Sequence, residues 1–139
     1  EIYVAASRRT GMDVIHSAIW ISDIEETLDF YVGALGLEKT NEFVGGDGAT
    51  NLYVRGDGAA EIQFKHKEDH DLGEATRSRF DHLALEVDDT DAEVERLQEE
   101  TDTELLRGPL DSTGASARVA FITDPDGHMI ELVEPRDDL

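Results

Sequence analysis

The chain has 139 residues, with 33 Asp plus Glu against 12 Lys plus Arg and a formal net charge of −21. That balance disfavours nucleic acid and anionic membrane surfaces as partners, and the absence of cysteine excludes both a disulfide framework and a thiolate metal site. No apolar run reaches the roughly 20 residues that cross a bilayer and the N-terminus carries no secretory pattern, so the sequence reads as a cytoplasmic protein.

Length predicts one domain, over residues 13–139, with residues 1–12 an N-terminal extension and Met12 a candidate native start. Val14 to Ile21 alternates like a strand, and Ser22-Asp-Ile-Glu25 matches a capping box that opens a helix. Ile24, Leu28, Tyr31 and Leu35 then share one helical face, and Gly36 is placed to terminate it. Gly45-Gly-Asp-Gly48 and Gly56-Asp-Gly58 are turn signals, the second inside a hairpin from Asn51 to Phe64. His66 to Phe80 is polar and charged and reads as a connection with a short helix of its own.

The pattern then repeats. A strand begins at His82, Thr90-Asp-Ala-Glu93 offers a second capping box, and Val94 with Leu97 supplies a short apolar stripe. Val119 to Val133 forms a second hairpin, turning at Asp124-Pro-Asp-Gly127. The coarse order is βαβββ twice, predicting an α+β domain of two modules, 13–66 and 80–135.

Four residues occupy matching positions in the two halves: His16 and Glu61 in the first, His82 and Glu131 in the second. Each histidine stands seven residues before an Asp at a helix start, and the repeat offsets are 66 for the histidines and 70 for the glutamates, a difference that loop length absorbs. A lone strand histidine is more often a core or surface residue. Glu61 and Glu131, however, lie on otherwise apolar strands, where a buried carboxylate needs a partner. Two imidazoles and two carboxylates leave one or two positions open around an octahedral Mn, Fe, Co or Ni ion, or a Zn ion with an expanded shell. His66, His70 and His128 are rival ligands, of which the first two lie in the polar connection and the third in a turn; all three read as surface residues.

Only three of the cations are lysine, and acids crowd segments such as Glu68-Asp-His-Asp71 and Asp88-Asp-Thr-Asp91. The surface resembles that of a protein from a salt-loving organism, whose self-repulsion is screened within about 3 Å at 1 M salt. The blander reading is an ordinary acidic soluble protein.

His16, the helix end Asp29-Phe-Tyr-Val-Gly-Ala-Leu-Gly-Leu37, the strand His82-Leu-Ala-Leu-Glu-Val-Asp88 and the closing Asp124-Pro-Asp-Gly-His-Met-Ile-Glu131-Leu together resemble the vicinal oxygen chelate superfamily, also called glyoxalase/bleomycin resistance/dioxygenase, from Val14 to Pro135. The resemblance implies paired βαβββ modules whose curled mixed sheets surround a metal, in a homodimer where His16 and Glu61 of one chain join His82 and Glu131 of the other. Within the superfamily the ligand set is most similar to bacterial glyoxalase I. That implies isomerisation of a hemithioacetal of methylglyoxal and a small thiol through an enediolate, with Glu131 as base and Glu61 as its catalytic counterpart.

The substrate anchors differ from that family's pattern. Trp20 stands where an arginine is expected, Lys65 where an asparagine is, and Asp111 where a lysine is, which counts against glutathione as the thiol. Lys65 and Arg107 are candidates for holding an anionic thiol or acid and read equally as solvated surface charges. Trp20 either packs a pocket wall or stacks on an apolar or aromatic substrate. Alternatives within the superfamily are an extradiol-type dioxygenase using His16, His82 and Glu131, an epimerase, and a non-catalytic drug-binding protein.

Overall fold

The computed structural model describes residues 16–69 and 80–139. The first module runs β1 (His16–Trp20), α1 (Ile24–Leu28), a π-helical turn over Asp29–Ala34, β2 (Glu38–Val44), β3 (Thr50–Arg55) and β4 (Glu61–His66). The second runs β5 (Leu83–Glu86), α2 (Thr90–Glu100), β6 (Leu105–Ser112), β7 (Ala117–Thr123) and β8 (Met129–Pro135). The βαβββ order expected from the sequence is therefore present twice. Val14, Ile15, the N-terminal extension and the helix expected within the connection lie outside the described residues.

Each module folds into a four-stranded mixed sheet with the same strand order, β1-β4-β3-β2 and β5-β8-β7-β6. Both hairpins form where the turn residues place them, joining β3 to β4 and β7 to β8 in antiparallel register. The first strand of each module instead pairs parallel with the fourth. A parallel pair needs a long crossover, and here the helix and two further strands supply it.

Alternation sorts each sheet into two faces. Ile19 and Ile21 from β1 and its end, Leu52 and Val54 from β3, and Ile62 and Phe64 from β4 turn under the first sheet; Ala120, Ile122, Ile130 and Leu132 turn under the second. With Phe30, Tyr31, Val94 and Leu97 from the helical segments they make one continuous core. Arg96 of α2 adds a polar tie between modules, its Nη2 donating to the Ala34 carbonyl at 2.9 Å. The opposite faces of both sheets carry the polar residues, including His16, Glu61 and Glu131.

The helix starts differ from the capping boxes expected at Ser22 and Thr90. Asp23 and Asp89 are the N-caps, each in extended backbone with its carboxylate accepting from the amide three residues on. Ser22 and Thr90 are used elsewhere. Ser22 donates through its amide and hydroxyl to Asp126, and buried Thr90 donates to the Arg118 carbonyl at 2.7 Å. The carboxylate wins because it is charged and sits at the positive end of the helix.

The expected stripe of Ile24, Leu28, Tyr31 and Leu35 packs on the core, Tyr31 within it and the other three partly buried against it. Thr27 and Phe30 are buried beside the stripe. After Leu28 the helix widens, the Leu35 amide reaching back five residues to Phe30. Gly36 does end the segment, at φ 80°.

Two glycines hold a left-handed backbone for different reasons. A Cβ on Gly36 would meet nothing within 4 Å, whereas one on Gly108, at φ 86°, would lie 2.7 Å from the Val119 carbonyl oxygen. Gly36→Ala is expected to cost only the backbone term, about 1 kcal/mol. Gly108→Ala adds a collision with backbone and is expected to cost about 3 kcal/mol. Urea denaturation of both variants in molar KCl checks the difference.

Candidate metal centre

Parallel pairing places the first candidate pair. His16 opens β1 and stands in register with Glu61, the first residue of β4, so both project from the same face of the sheet. The His16 ring meets Tyr53 of β3 edge-on at 5.7 Å, and Tyr53 stacks on Phe43 at 6.0 Å. The β2–β3 register slips between Lys39 and Asn41. The bulge re-aims Thr40, whose hydroxyl donates to Glu61 Oε2.

His82 lies one residue ahead of β5, correcting the strand start expected at that histidine, and Glu131 is the third residue of β8. The His82 ring is held from two sides. Its Nδ1 is 2.7 Å from Asp81 Oδ2, and Phe121 of β7 meets the ring edge-on at 6.0 Å. A carboxylate can only accept, so Nδ1 carries a proton and donates it to Asp81. His82 Nε2 then faces Glu131 Oε1 at 3.2 Å.

This last contact is chemically informative. Protonated on both nitrogens, the ring pairs with Asp81 and Glu131 at once; protonated on Nδ1 alone, it turns an Nε2 lone pair toward Glu131, and the two donors then suit a shared cation. The 3.2 Å separation is short enough for both groups to serve one divalent ion. The Asp81–His82 contact resembles the carboxylate support that metal-binding histidines use to fix tautomer and ring orientation. The donor chemistry of this pair fits a divalent cation.

One chain does not gather all four candidate ligands. Among the described residues, the one group of three acidic or imidazole side chains within a common coordination distance is Asp89, Asp91 and Glu134. Each of those carboxylates is already engaged. Asp89 caps α2, Asp91 pairs through both oxygens with Arg118 at 2.7 and 3.0 Å, and Glu134 accepts from the Thr90 amide at 3.0 Å. The cluster anchors the start of α2.

Trp20 and Lys65 are brought together. They are register partners on β1 and β4, with Lys65 Nζ 5.3 Å from the Trp20 ring centroid and 3.4 Å from both Asp47 Oδ2 and Asn51 Oδ1. They share the His16–Glu61 face, four residues along the strands, or about 13 Å away. Arg107 is exposed on β6, in register with Phe121, which is in turn in register with Glu131. Each module thus carries a cation on the sheet that bears its own candidate pair, Lys65 farther along the strands and Arg107 two strands across.

His128 is corrected from the surface position expected of a turn residue: it is 6% exposed, like its partner Asp124. Asp124 Oδ2 lies 2.9 Å from His128 Nδ1 and accepts from the Tyr31 hydroxyl at 2.9 Å. His66 is half-buried at the end of β4, and His70 lies outside the described residues.

Asp81, Thr40, Tyr53 and Phe121 were not singled out from the sequence. Asp81 precedes His82 directly, but in a chain with 33 acids one more carries no contrast. Thr40 reaches Glu61 only through the bulge.

The chain belongs to the Glyoxalase/Bleomycin resistance protein/Dioxygenase superfamily, which matches residues 13–132. Among named relatives, it is 29% identical to lactoylglutathione lyase of Salmonella typhimurium over 141 residues, covering 91% of this chain and 95% of that protein. A probable lactoylglutathione lyase of Vibrio parahaemolyticus is also 29% identical, with 87% and 89% covered. Of solved structures, a glyoxalase family protein from Enterococcus faecalis superposes with TM-score 0.72 at 24% identity, covering 89% of this chain and 98% of that one. An antibiotic binding protein from a Streptomyces species superposes at 0.69 with 29% identity, covering 92% and 99%.

The hydrogen bond to Asp124 holds the His128 pKa above its ordinary 6.5, against the opposing effect of burial. Burial, with Asp124 beside it, likewise pushes the Tyr31 hydroxyl well above 10.0. A pKa raised on folding gives stability that is complete below the unfolded value and lost as pH rises through the folded one. Replacing His128 with Asn is therefore expected to cost most at about pH 6, by roughly 1 kcal/mol more than at about pH 9. Urea unfolding of both proteins at the two pH values measures this.

Proposed function

We propose that the protein is a metal-dependent, glyoxalase I-like enzyme that isomerises the hemithioacetal of methylglyoxal and a small thiol. The single observation that carries this is His82 Nε2 facing Glu131 Oε1 at 3.2 Å with Nδ1 committed to Asp81. The lactoylglutathione lyase relatives supply the reaction class.

His16, Glu61, His82 and Glu131 would hold the ion, one of Ni, Co, Mn, Zn or Fe. When bound, it supplies Lewis-acid stabilisation of negative charge developing on two neighbouring substrate oxygens. Glu131 takes the proton from the carbon bearing the thiol and returns it to the adjacent carbon. Glu61 occupies the corresponding position in the other half and serves the opposite stereochemistry. Tyr53 and Phe121 flank the two histidines with apolar surface, which lowers water access where the proton moves.

Because one chain holds the ligands as two separate pairs, the site is proposed to form between two copies in a homodimer, His16 and Glu61 of one with His82 and Glu131 of the other. The equal strand order of the two sheets supports this, since a twofold axis would bring a first half against a second half twice. Trp20 and Lys65 then line one wall of the substrate cavity and Arg107 the other. Lys65 is already held by Asp47 and Asn51, which favours a thiol with less anionic character than glutathione at that wall.

A second reading is a non-catalytic small-molecule binding protein, and the similarity to the Streptomyces antibiotic binding protein favours it. Metal content separates the two. The glyoxalase reading requires close to one divalent ion per chain and anaerobic isomerisation of the hemithioacetal, assayed with glutathione and with smaller thiols.

Glu131→Gln is expected to lower kcat by about 10³-fold or more while retaining part of the metal; turnover within tenfold of the parent would reject Glu131 as the base. Mixing inactive His16→Ala and His82→Ala chains, with subunit exchange, is expected to restore about a quarter of parental activity, because half of randomly formed dimers contain one intact site. No recovery would place each site within one chain.

A further inference from the structure

We infer that His128 is a positioning residue for the His82–Glu131 pair, an inference that rests on the metal-site reading above. His128 touches neither candidate ligand. It stands between the two segments that carry them.

Its backbone and ring are both fixed by Asp124. The His128 amide donates to Asp124 Oδ1 at 2.8 Å, the His128 carbonyl accepts from the Asp124 amide at 3.0 Å, and the ring reaches Asp124 Oδ2 at 2.9 Å. Asp124 is held in turn by the Asp126 amide at 2.9 Å and by the Tyr31 hydroxyl from the π-helical turn of the other module. The turn is thereby locked at the residue that precedes β8, three positions before Glu131.

The ring also meets Phe80 in a T-shaped contact at 6.1 Å and 88°. Phe80 is two residues before His82. The same imidazole therefore sets where the strand bearing Glu131 begins and what the segment leading to His82 rests on. A ligand pair has to be held within about 0.5 Å to bind one ion well, and loss of an outer support commonly costs about 10- to 100-fold in metal affinity. A histidine that merely filled space would support stability alone.

Three variants separate these roles. His128→Leu keeps apolar bulk but loses the donor, His128→Asn keeps an N–H donor near the Nδ1 position, and Tyr31→Phe removes only the remote hydrogen bond to Asp124. The readouts are Ni²⁺ affinity by competition with a chromophoric chelator and melting temperature of the metal-free protein. His128→Leu is expected to weaken Ni²⁺ binding by about 10-fold or more, with His128→Asn within about threefold of the parent. Tyr31→Phe is expected to lower the melting temperature with Ni²⁺ affinity kept.

Parental affinity in His128→Leu, or equal losses in the Leu and Asn variants, overturns the positioning role while leaving the metal site standing. A parent protein that binds neither Ni²⁺ nor Co²⁺, Mn²⁺, Zn²⁺ or Fe²⁺ overturns the metal-site reading itself, and this inference with it. If His128→Leu does not fold, Phe80→Leu decides: it leaves the Asp124 network intact and removes the ring contact, and unchanged Ni²⁺ affinity there rejects the proposal.

Discussion

Parallel pairing of the first strand of each module with the fourth is the constraint on which the rest of the molecule depends. Hydrogen bonding between β1 and β4 aligns two residues 45 positions apart, His16 and Glu61, on one face of a sheet. The chain between them has to leave, cross over and return, and α1, the π-helical turn and the hairpin are that excursion. The β5–β8 pair does the same for the segment beyond His82 and for Glu131. Antiparallel neighbours alone would give hairpins whose facing residues are close in sequence. The parallel ladder lets side chains from distant parts of the chain meet across an edge strand and its neighbour, with the core packed beneath them.

Duplicating that plan yields two candidate pairs with different degrees of organisation. The His82–Glu131 half is tightly arranged, its ring held by Asp81 and Phe121 and its nitrogen facing the carboxylate. In the His16–Glu61 half the carboxylate accepts a hydrogen bond from Thr40 while His16 remains exposed. The single core runs beneath both sheets and leaves their polar faces open. Superfamily membership fits this division of labour: the scaffold is shared, and the residues placed on the open faces decide between catalysis and binding.

Much of this was legible in the sequence, for a physical reason. Strand alternation, Gly-marked turns and an Asp seven residues after each histidine are local signals, and the β–α–β–β–β order, both hairpins and the helical stripe of Val94 and Leu97 follow from them. The misread details depend on competition or on distance. Ser22 and Asp23 are both acceptable caps, and only the presence of Asp126 across the fold shows why the hydroxyl is used elsewhere. The widening of the first helix after Leu28 has no signature in residue type. His128 reads as exposed because an Asp-Pro-Asp-Gly turn ordinarily is; it is buried where Phe80 meets its ring and Tyr31 bonds its partner Asp124, both from segments far away in the chain. The matching positions of His16, Glu61, His82 and Glu131 were visible in the repeat, whereas the separation of the two pairs within one chain depends on how the modules pack, which no local pattern encodes.

The outer strand β2 brings a colloidal consequence. All seven of its residues are exposed, Phe43 and Val44 among them, and it lies at the end of its sheet. An open strand edge with apolar side chains is a template on which further chains can add. Two things oppose that here: the charged residues Glu38, Lys39 and Glu42 along the strand itself, and the long-range repulsion of a surface at −21. Molar salt removes the second by shortening its reach to about 3 Å. In such a medium the protection against filament growth falls to three side chains on one strand, and colloidal stability becomes a property of β2 rather than of the molecule's total charge.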